Sequence, residues 1–271
     1  MTAKDIQISM KGINEKYDDW LEHPLAMEYF DNSDFANFGY REEATRNQKE
    51  ACETLMEKLL AVIPEKKGKI LDVACGKGAT TRHLLKYYPP EAVTGINISE
   101  RQLAKARVNA PGCDFRLMSA TEMEFEDETF DAIICVEAAF HFDTREKFLQ
   151  EALRVLKPGG SIMLTDILSS RKTERSSKLL TEKNHIDDPE EYEELLTKVG
   201  FEQAQTIDAT DESWVRWNEN LVEWVHEKYH EGVLKKGQYR YFLFDRYVRA
   251  AAVRYYILAA ARKPRRIGGT A

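Results

Sequence analysis

Two glycines stand where an apolar segment of the chain gives way to a helical one. Residues 69–74, KILDVA, have a strand-like pattern, Gly76 and Gly78 follow, and residues 79–88 have a helical pattern. Glycine adopts positive φ and lets a ligand approach the backbone, and a helix start offers free N–H groups. The spacing predicts a turn that holds a nucleotide-type ligand at the end of a strand. It is neither a Walker loop nor a dinucleotide GxGxxG turn, since Thr81 stands at the third glycine position.

A histidine and an aspartate accompany two later apolar segments. His141 comes just after residues 130–137, FDAIICVE, and Asp166 lies near the end of residues 161–168. Parallel strands end at one edge of a sheet, where ligands bind, so both side chains are expected near one ligand. Because histidine titrates near neutral pH, we hypothesise that His141 removes a proton from a hydroxyl group. Asp166 would orient the imidazole or the hydroxyl.

Alternating strand and helix patterns must position these residues. Helical patterns cover residues 44–62, 79–88, 100–109, 144–156, 189–201 and 211–235, and strand patterns cover residues 69–74, 92–98, 113–118, 130–137, 161–168 and 255–261. This alternation predicts βαβ units and a parallel sheet in an α/β fold. We interpret residues 157–160, KPGG, as a turn and residues 169–188 as a loop or the start of a lid.

Composition limits the classes of partner. The 271 residues carry a net charge of −7, which does not favour nucleic acid, and no run of about 20 apolar residues predicts a membrane span. Four cysteines without a CxxC pair, and the lack of a signal-peptide pattern, predict a cytoplasmic protein with reduced thiols. His226 and His230 have helical i, i+4 spacing, but without a third ligand no metal site is predicted.

The order of several motifs resembles that of class I S-adenosylmethionine-dependent methyltransferases. The motifs are DVACGKG at 72–78, TGINIS at 94–99, FDAIICVEAAFHF at 130–142 and LKPGGSIMLTD at 156–166. The resemblance implies a Rossmann-like, seven-stranded, mostly parallel sheet with helices on both faces. It also implies a single domain with four parts: an N-terminal helical segment that closes over the cofactor (1–60), a cofactor-binding core (61–168), a substrate cap with a core helix (169–250), and a closing strand with a basic tail (251–271).

The resemblance implies S-adenosylmethionine as the cofactor and assigns residues to it. FANFGYR at 35–41 resembles the hxGYW segment of natural-product and sugar methyltransferases, and Tyr17 lies in an earlier helix that often closes over the cofactor. Lys77 is expected to face solvent, because a cationic sulfonium needs no ammonium nearby. The expected cofactor-binding residues are Tyr40, Gln48, Asp72, Ala74, Gly76, Gly78, Asn97, Ile98, Gln102, Ser119, Ala120, Thr121 and Glu137.

Four positions depart from the family pattern. Ala74 replaces the first glycine of the turn, and Asn97 replaces an acidic residue that holds the ribose hydroxyls, so that role is assigned to Gln102. Ser119 replaces an aspartate that reads the adenine, and Arg41 replaces a tryptophan. The adenine is therefore expected to meet the backbone near Ala120 rather than a carboxylate.

The resulting functional hypothesis is O-methylation of a small, natural-product-like acceptor. One alternative is C-methylation of an isoprenoid, lipid or indole; another is a catalytically silent binding protein of this fold. Trp214, Trp217 and Trp224 form a helical stripe that either packs the cap or lines an apolar acceptor site. A homodimer through residues 1–40 is compatible with the sequence.

Overall fold

The computed structural model describes residue 19 and residues 22–176, 182–249 and 251–266. Its centre is one seven-stranded sheet with strand order β3-β2-β1-β4-β5-β7-β6. The strands are β1 (Ile70–Val73), β2 (Val93–Asn97), β3 (Asp114–Leu117), β4 (Phe130–Val136), β5 (Leu156–Ser169), β6 (Glu202–Asp208) and β7 (Val253–Arg262). The expected Rossmann-like sheet is confirmed.

Strands β1 to β5 are parallel, whereas β7 runs antiparallel between β5 and β6. The carboxyl ends of β1 and β4 therefore lie side by side in the middle of the sheet, with Val73 opposite Cys135. Residues 132–135 of β4 are 0–2% exposed, since helices cover both faces. Burial of a large apolar side chain stabilises the fold by roughly 1.5–3 kcal/mol, so this central strand anchors the edge where both turns lie.

Nine helices occur within the described ranges. They are α1 (Pro24–Tyr29), α2 (Gln48–Leu60), α3 (Ala79–Leu84), α4 (Glu100–Asn109), α5 (Arg145–Val155), α6 (Arg171–Ser176), α7 (Pro189–Val199), α8 (Arg216–His230) and α9 (Lys236–Arg249). Short 3₁₀ turns cover Pro90–Ala92, Ala139–His141 and Glu182–Asn184, and a π-helical turn covers Asp211–Val215. Helices α5 and α7 pack in one hydrophobic cluster, and α2, α3 and the π-helical turn pack in another.

Helix starts near the sheet edge are fixed by capping side chains. The Ser99 hydroxyl accepts a hydrogen bond from the Gln102 N–H at 3.2 Å, which begins α4. The Thr144 hydroxyl accepts from the Lys147 N–H at 3.1 Å, which begins α5 at Arg145, four residues after His141. A cap of this kind contributes roughly 1 kcal/mol, so each helix begins at a defined residue beside the site.

One expectation about the elements needs correction. Residues 157–160 are not a free turn but belong to β5, where Gly160 O accepts from Lys263 N at 2.9 Å. Within residues 169–250, helix α7 packs in the central hydrophobic cluster and strand β6 joins the sheet, and the division of this range into cap and core stays a prediction. Tyr17 and its helix lie outside the described residues. Among the helices described here, none combines the length and apolar character needed to cross a membrane.

Candidate cofactor and active site

The turn after β1 contains three residues with left-handed backbone conformation. Their φ angles are +58° at Ala74, +54° at Gly76 and +81° at Gly78. Cys75 N donates to Ile96 O at 3.0 Å, and Gly78 N donates to Cys75 O at 2.9 Å, so the turn is fastened to β2 and to itself. An alanine pays roughly 1–2 kcal/mol for this conformation, which glycine adopts freely.

The two glycines serve different purposes. A Cβ at Gly78 would lie 2.8 Å from both the Cα and the Cβ of Ala106, so the absence of a side chain there lets α3 approach α4. A Cβ at Gly76 would meet only the Gln102 Oε1, at 3.8 Å. Gly78 is therefore needed for packing, whereas Gly76 leaves open space beside the turn that a ligand can occupy.

Asp72 orients this turn from the end of β1. Its Oδ2 accepts hydrogen bonds from the Thr80 hydroxyl at 2.7 Å and the Thr81 hydroxyl at 2.6 Å. Burial raises the pKa of the carboxyl to about 6, against the two hydrogen bonds, which favour the ionised form. Asp72 thus fixes the start of α3, and its contact with the cofactor stays a prediction.

The side-chain amide of Asn97, one of the expected cofactor-binding residues, makes its hydrogen bonds within the turn. Its Nδ2 donates to the Gln102 Oε1 at 2.9 Å and to Gly76 O at 3.4 Å, and its Oδ1 accepts from Ile98 N at 2.7 Å. The amide is used within the turn, so Asn97 positions Gln102 and Gly76 rather than reaching outward. Gln102 borders the space beside Gly76, and the contact of Gln102 and Ile98 with the cofactor stays a prediction.

The segment after β3 forms a compact local turn. The Ser119 and Thr121 hydroxyls lie 3.0 Å apart, and the Ser119 Oγ accepts from Thr121 N at 3.2 Å. Met118 N donates to Asn97 O at 2.9 Å, which holds this turn beside the end of β2. Ala120 is buried, and adenine binding by these three residues, 119–121, stays a prediction.

Lys77 does not face solvent as expected. Its Nζ lies 2.7 Å from the Asp34 Oδ1, and both side chains are largely buried. Asn109 Nδ2 donates to the other Asp34 oxygen at 2.9 Å. Burial acts to raise the pKa of Asp34, but hydrogen bonds from Lys77 and Asn109 outweigh it and the pKa lies below its usual value. The N-terminal segment is therefore tied directly to the glycine turn.

Glu137 joins three distant parts of the chain at the end of β4. Its Oε1 accepts from Phe38 N and from the Tyr256 hydroxyl, each at 2.7 Å. Its own N–H donates to the Thr165 Oγ1 at 3.0 Å, and its φ is +50°. Burial raises the pKa of Glu137 to about 8, although the hydrogen bonds from Tyr256 and Phe38 act in the opposite direction. Glu137 holds the loop; its contact with the cofactor stays a prediction.

Gln48 holds the N-terminal loop rather than presenting its amide to a ligand. Its Nε2 donates to the carbonyl oxygens of Asn37 and Phe38, each at 2.9 Å. Its Oε1 accepts from Arg41 Nη2 at 2.6 Å and from the Tyr29 hydroxyl at 3.3 Å. Both amide atoms are engaged and the residue is 2% exposed, so the expected lining role is corrected to a positioning role.

The aromatic rings around this loop pack closely. Trp214 and Trp217 stack at 5.6 Å, and the Phe38 ring lies 4.5 Å from that of Trp217. Both tryptophans are 6% exposed, which identifies them as packing residues of the cap. The Tyr40 ring lies 4.9 Å from the Lys58 ammonium, in the C-terminal half of α2, and its expected place at the methionine end stays a prediction.

His141 lies at the sheet edge where it was expected. It ends the 3₁₀ turn Ala139–His141 after β4, its ring is half-buried, and the Phe140 ring lies 4.0 Å away, tilted by 44°. The turn puts an imidazole at the edge that also carries the glycine turn. Its role as a general base stays a prediction.

Asp166 is not available to His141 or to an acceptor. It is 0% exposed, and Arg145 Nε and Nη2 donate to its two oxygens at 2.6 and 3.2 Å. Side chains alternate across a strand, so Asp166 points to the α5 face while Thr165 points toward Glu137. Leaving this charge unpaired would be costly, and the structure corrects the catalytic assignment of Asp166 to a buried ion pair.

The remaining histidines have local partners. His226 Nδ1 lies 2.9 Å from the Tyr239 hydroxyl, and His185 lies between Glu174 at 2.7 Å and Asp187 at 3.0 Å. Across the described ranges, no group of three or more His, Cys, Asp or Glu residues has a metal-binding arrangement.

Sequence reasoning missed the residues that close the site from afar. Asp34, Arg145, Asn220 and Tyr256 hold Lys77, Asp166, Arg41 and Glu137, respectively. Of these four residues, only Arg145 gave a local signal: it is a basic residue in the first turn of a predicted helix, just after the Thr144 cap. The others lie tens of residues away from their partners, without a local pattern.

The residues at the sheet edge fit the cofactor that the motifs imply. Gly76 leaves space that any Cβ would fill, and the carboxyl ends of β1 and β4 flank it. Residues 71–164 match the family model described as a methyltransferase domain. The strand order, the glycine turn and this match identify a class I S-adenosylmethionine-dependent methyltransferase domain over residues 71–164, as the resemblance implied.

Two relatives and one solved structure illustrate the likeness. The chain is 37% identical to phthiotriol/phenolphthiotriol dimycocerosates methyltransferase 1 of Mycobacterium ulcerans (strain Agy99) over 106 residues. These residues are 38% of this chain and 39% of that protein. It is 28% identical over 199 residues to 27-O-demethylrifamycin SV methyltransferase of Amycolatopsis mediterranei (strain S699), 66% of this chain and 71% of that protein.

The crystal structure of the 4+2 cyclase SpnF superposes with a TM-score of 0.70 at 22% identity, covering 93% of this chain and 95% of that one. This likeness establishes the fold. The matched segment spans about two fifths of the mycobacterial relative's length.

Proposed function

We propose that the protein transfers the methyl group of S-adenosylmethionine to a hydroxyl group of a small, natural-product-like or lipid-like acceptor. The carrying observation is the open space beside Gly76, at the edge where the turn after β4 places His141. The two relatives named above, both methyltransferases by name, support the choice of reaction.

The bound cofactor would supply an electrophilic methyl group on a sulfonium. Gly76 would let its methionine end approach the backbone, while Asp72 and Asn97 keep the turn in place. The Glu137–Phe38 bond would hold the N-terminal loop across the same edge. His141 would accept the hydroxyl proton, a step for which histidine has a suitable pKa. Enclosure of the site then excludes water as a competing acceptor.

Cofactor binding is tested by calorimetric titration with S-adenosylhomocysteine. Gly76→Ala is expected to weaken binding by about tenfold or more, because its Cβ enters the open space. Gly232→Ala is the matched control: Gly232 also has positive φ, but nothing lies within 4 Å of its missing Cβ. Equal binding by wild type and Gly76→Ala would contradict the location of the site.

The reaction is tested by mass spectrometry of acceptor libraries incubated with S-adenosylmethionine. With a hydroxylated acceptor, His141→Gln is expected to lower kcat/KM by about 10²–10⁴ while S-adenosylhomocysteine binding persists. The opposite result, full activity in His141→Gln, would remove the general-base role.

C-methylation is the second candidate, supported by the partly exposed ring of Phe38, which packs on the buried rings of Trp214 and Trp217 at the loop that Glu137 holds. Such a reaction needs no hydroxyl deprotonation, so its product would carry a new carbon–carbon bond and tolerate His141→Gln. Cofactor binding without any methylated product would favour the catalytically silent alternative, since the cyclase neighbour shows that this fold hosts other functions.

A further inference from the structure

Helix α9 presents an apolar stripe to its surroundings. Tyr241, Phe244, Tyr247 and Val248 are 66%, 68%, 83% and 58% exposed. Their spacing of three and four residues puts them on one side of the helix. Single exposed apolar side chains are ordinary, but a contiguous group marks an interaction surface.

The opposite side of α9 is already packed. The Tyr239 ring stacks on Tyr229 of α8 at 4.2 Å, and the Tyr239 hydroxyl lies 2.9 Å from His226. The Arg246 guanidinium lies 5.4 Å from the Trp217 ring centroid. Helix α9 is thus fixed on α8, and the apolar stripe points away from the rest of the described chain.

The charge around the stripe is opposite to that of the whole protein. Residues 235–254 contain six Lys or Arg residues and one acidic residue, Asp245, in a chain whose net charge is −7. Asp245 is paired with Arg246. Lys235, Lys236 and Arg240 are exposed, so the segment that carries the stripe is basic. Charges act over about 8–10 Å at physiological salt, so this local surplus governs what docks here.

We propose that α9 docks the protein on an anionic lipid surface. Tyr241, Phe244, Tyr247 and Val248 would enter the boundary between head groups and acyl chains, where aromatic side chains are favoured. The basic residues would contact lipid phosphates. A second copy of the chain is a poorer occupant, because a two-fold interface sets each basic surface against itself. The proposal does not depend on the methyl-transfer reaction.

Co-sedimentation with vesicles tests this docking. The probes are an equal mixture of phosphatidylcholine and phosphatidylglycerol, and phosphatidylcholine alone. The wild type is expected to bind the mixed vesicles, and to leave them as salt rises from about 0.1 to about 1 M, which shortens the Debye length from about 10 to about 3 Å. Phe244→Ser/Tyr247→Ser is expected to bind about tenfold less.

Two further variants separate the contribution of the apolar stripe to vesicle binding from that of the basic side chains. Val108→Ser removes an exposed apolar side chain from α4 and should bind as the wild type does. Lys236→Glu/Arg240→Glu should lose binding to mixed vesicles while keeping the stripe. Every variant should keep the wild-type circular dichroism and its S-adenosylhomocysteine affinity, so loss of docking is distinguishable from loss of the cofactor site.

Three results would overturn the proposal. They are an absence of binding to mixed vesicles, equal binding to neutral vesicles at all salt concentrations, or unchanged binding by Phe244→Ser/Tyr247→Ser. Sedimentation velocity supplies the alternative: a wild-type dimer that this variant dissociates would assign the stripe to self-association instead.

Discussion

The two halves of the candidate site are held together over very different distances along the chain. On the cofactor side, Asp72 bonds to Thr81 nine residues later and Asn97 bonds to Gln102 five residues later. The other half, called the acceptor half because it carries His141, comprises the N-terminal loop and the turn after β4. There, Glu137 accepts a hydrogen bond from Phe38 across 99 residues, and Tyr29 donates one to Asn220 across 191. Apart from the Lys77–Asp34 pair, the first half is held mostly by residues close in sequence, whereas the second is held by parts of the chain that meet only in the folded protein.

This difference predicts where substitutions act. In the cofactor half, a change at the turn alters one local contact or the ligand space itself. In the acceptor half, each polar side chain is enclosed and joins separate elements, so its loss leaves a buried partner unsatisfied. The sharpest tests compare one residue from each half.

The largest effect is expected for the buried ion pair beside the acceptor half. Arg145→Met leaves Asp166 unpaired inside the protein and should lower the free energy of unfolding by about 3–5 kcal/mol, measured by urea denaturation. Arg107→Met, which removes an exposed pair with Glu100, should change it by less than about 1 kcal/mol. Equal effects would mean that burial does not distinguish the two pairs.

The next effect separates the two glycines of the cofactor half. Gly78→Ala forces a Cβ against Ala106 at 2.8 Å in a left-handed conformation and should cost about 2–4 kcal/mol of unfolding free energy. Gly76→Ala should cost only about 1–2 kcal/mol, since its Cβ has room. Thermal unfolding measures the stability of both variants. A larger loss of stability in Gly76→Ala than in Gly78→Ala would contradict the assignment of Gly78 to packing and of Gly76 to ligand space.

Glu137 predicts a pH dependence specific to the acceptor half. Its folded pKa of about 8 exceeds the usual 4.5, so the folded protein keeps a proton that the unfolded chain releases. The stabilisation that the protonated Glu137 contributes is complete below pH 4.5 and is lost as the pH rises toward 8. Unfolding free energy should fall by up to about 1.4 kcal/mol per pH unit within that interval.

The interval from pH 6.5 to 8 isolates this group. Asp72, whose pKa is raised to about 6, changes the unfolding free energy below this interval. His83, whose pKa is lowered, changes it below pH 6.5, where its contribution rises with pH instead of falling. Glu137→Gln should flatten the slope in urea titrations, whereas the exposed Glu43→Gln should leave it unchanged. A slope that survives Glu137→Gln would assign it to another group.

The smallest effect concerns Ala74, which takes a left-handed conformation at the position where the family motif has its first glycine. Ala74→Gly relieves that strain but increases the freedom of the unfolded chain, so the unfolding free energy should rise by no more than about 1 kcal/mol. S-adenosylhomocysteine affinity should not change. A loss of stability would show that the Ala74 methyl group contributes packing that outweighs its strain.

The same contrast explains what the sequence could predict. Strands β1, β2 and β4 and helix α4 follow apolar patterns within a few residues, and the glycine turn is a local motif. Strand β6, EQAQTID, is largely exposed and has no apolar period, so only its pairing with β7 defines it. The sequence indicated that Asp166 lies near the end of a strand. It did not indicate which face of the sheet the side chain points to, or that Arg145 pairs with it, and the assignment of Asp166 was therefore wrong.

The position of β7 also sets the order in which the protein can become complete during synthesis. Residues 253–262 pair with both β5 and β6, and Tyr256 supplies one of the two hydrogen bonds to Glu137. A nascent chain that ends before residue 253 has β6 with no strand to join and a Glu137 carboxyl with half its partners. Since translation adds roughly 5–20 residues per second, the turn after β1 precedes its finished surroundings by about 9–40 s. The carboxyl that holds the N-terminal loop therefore gains its second hydrogen-bond partner only after the ribosome has made β7.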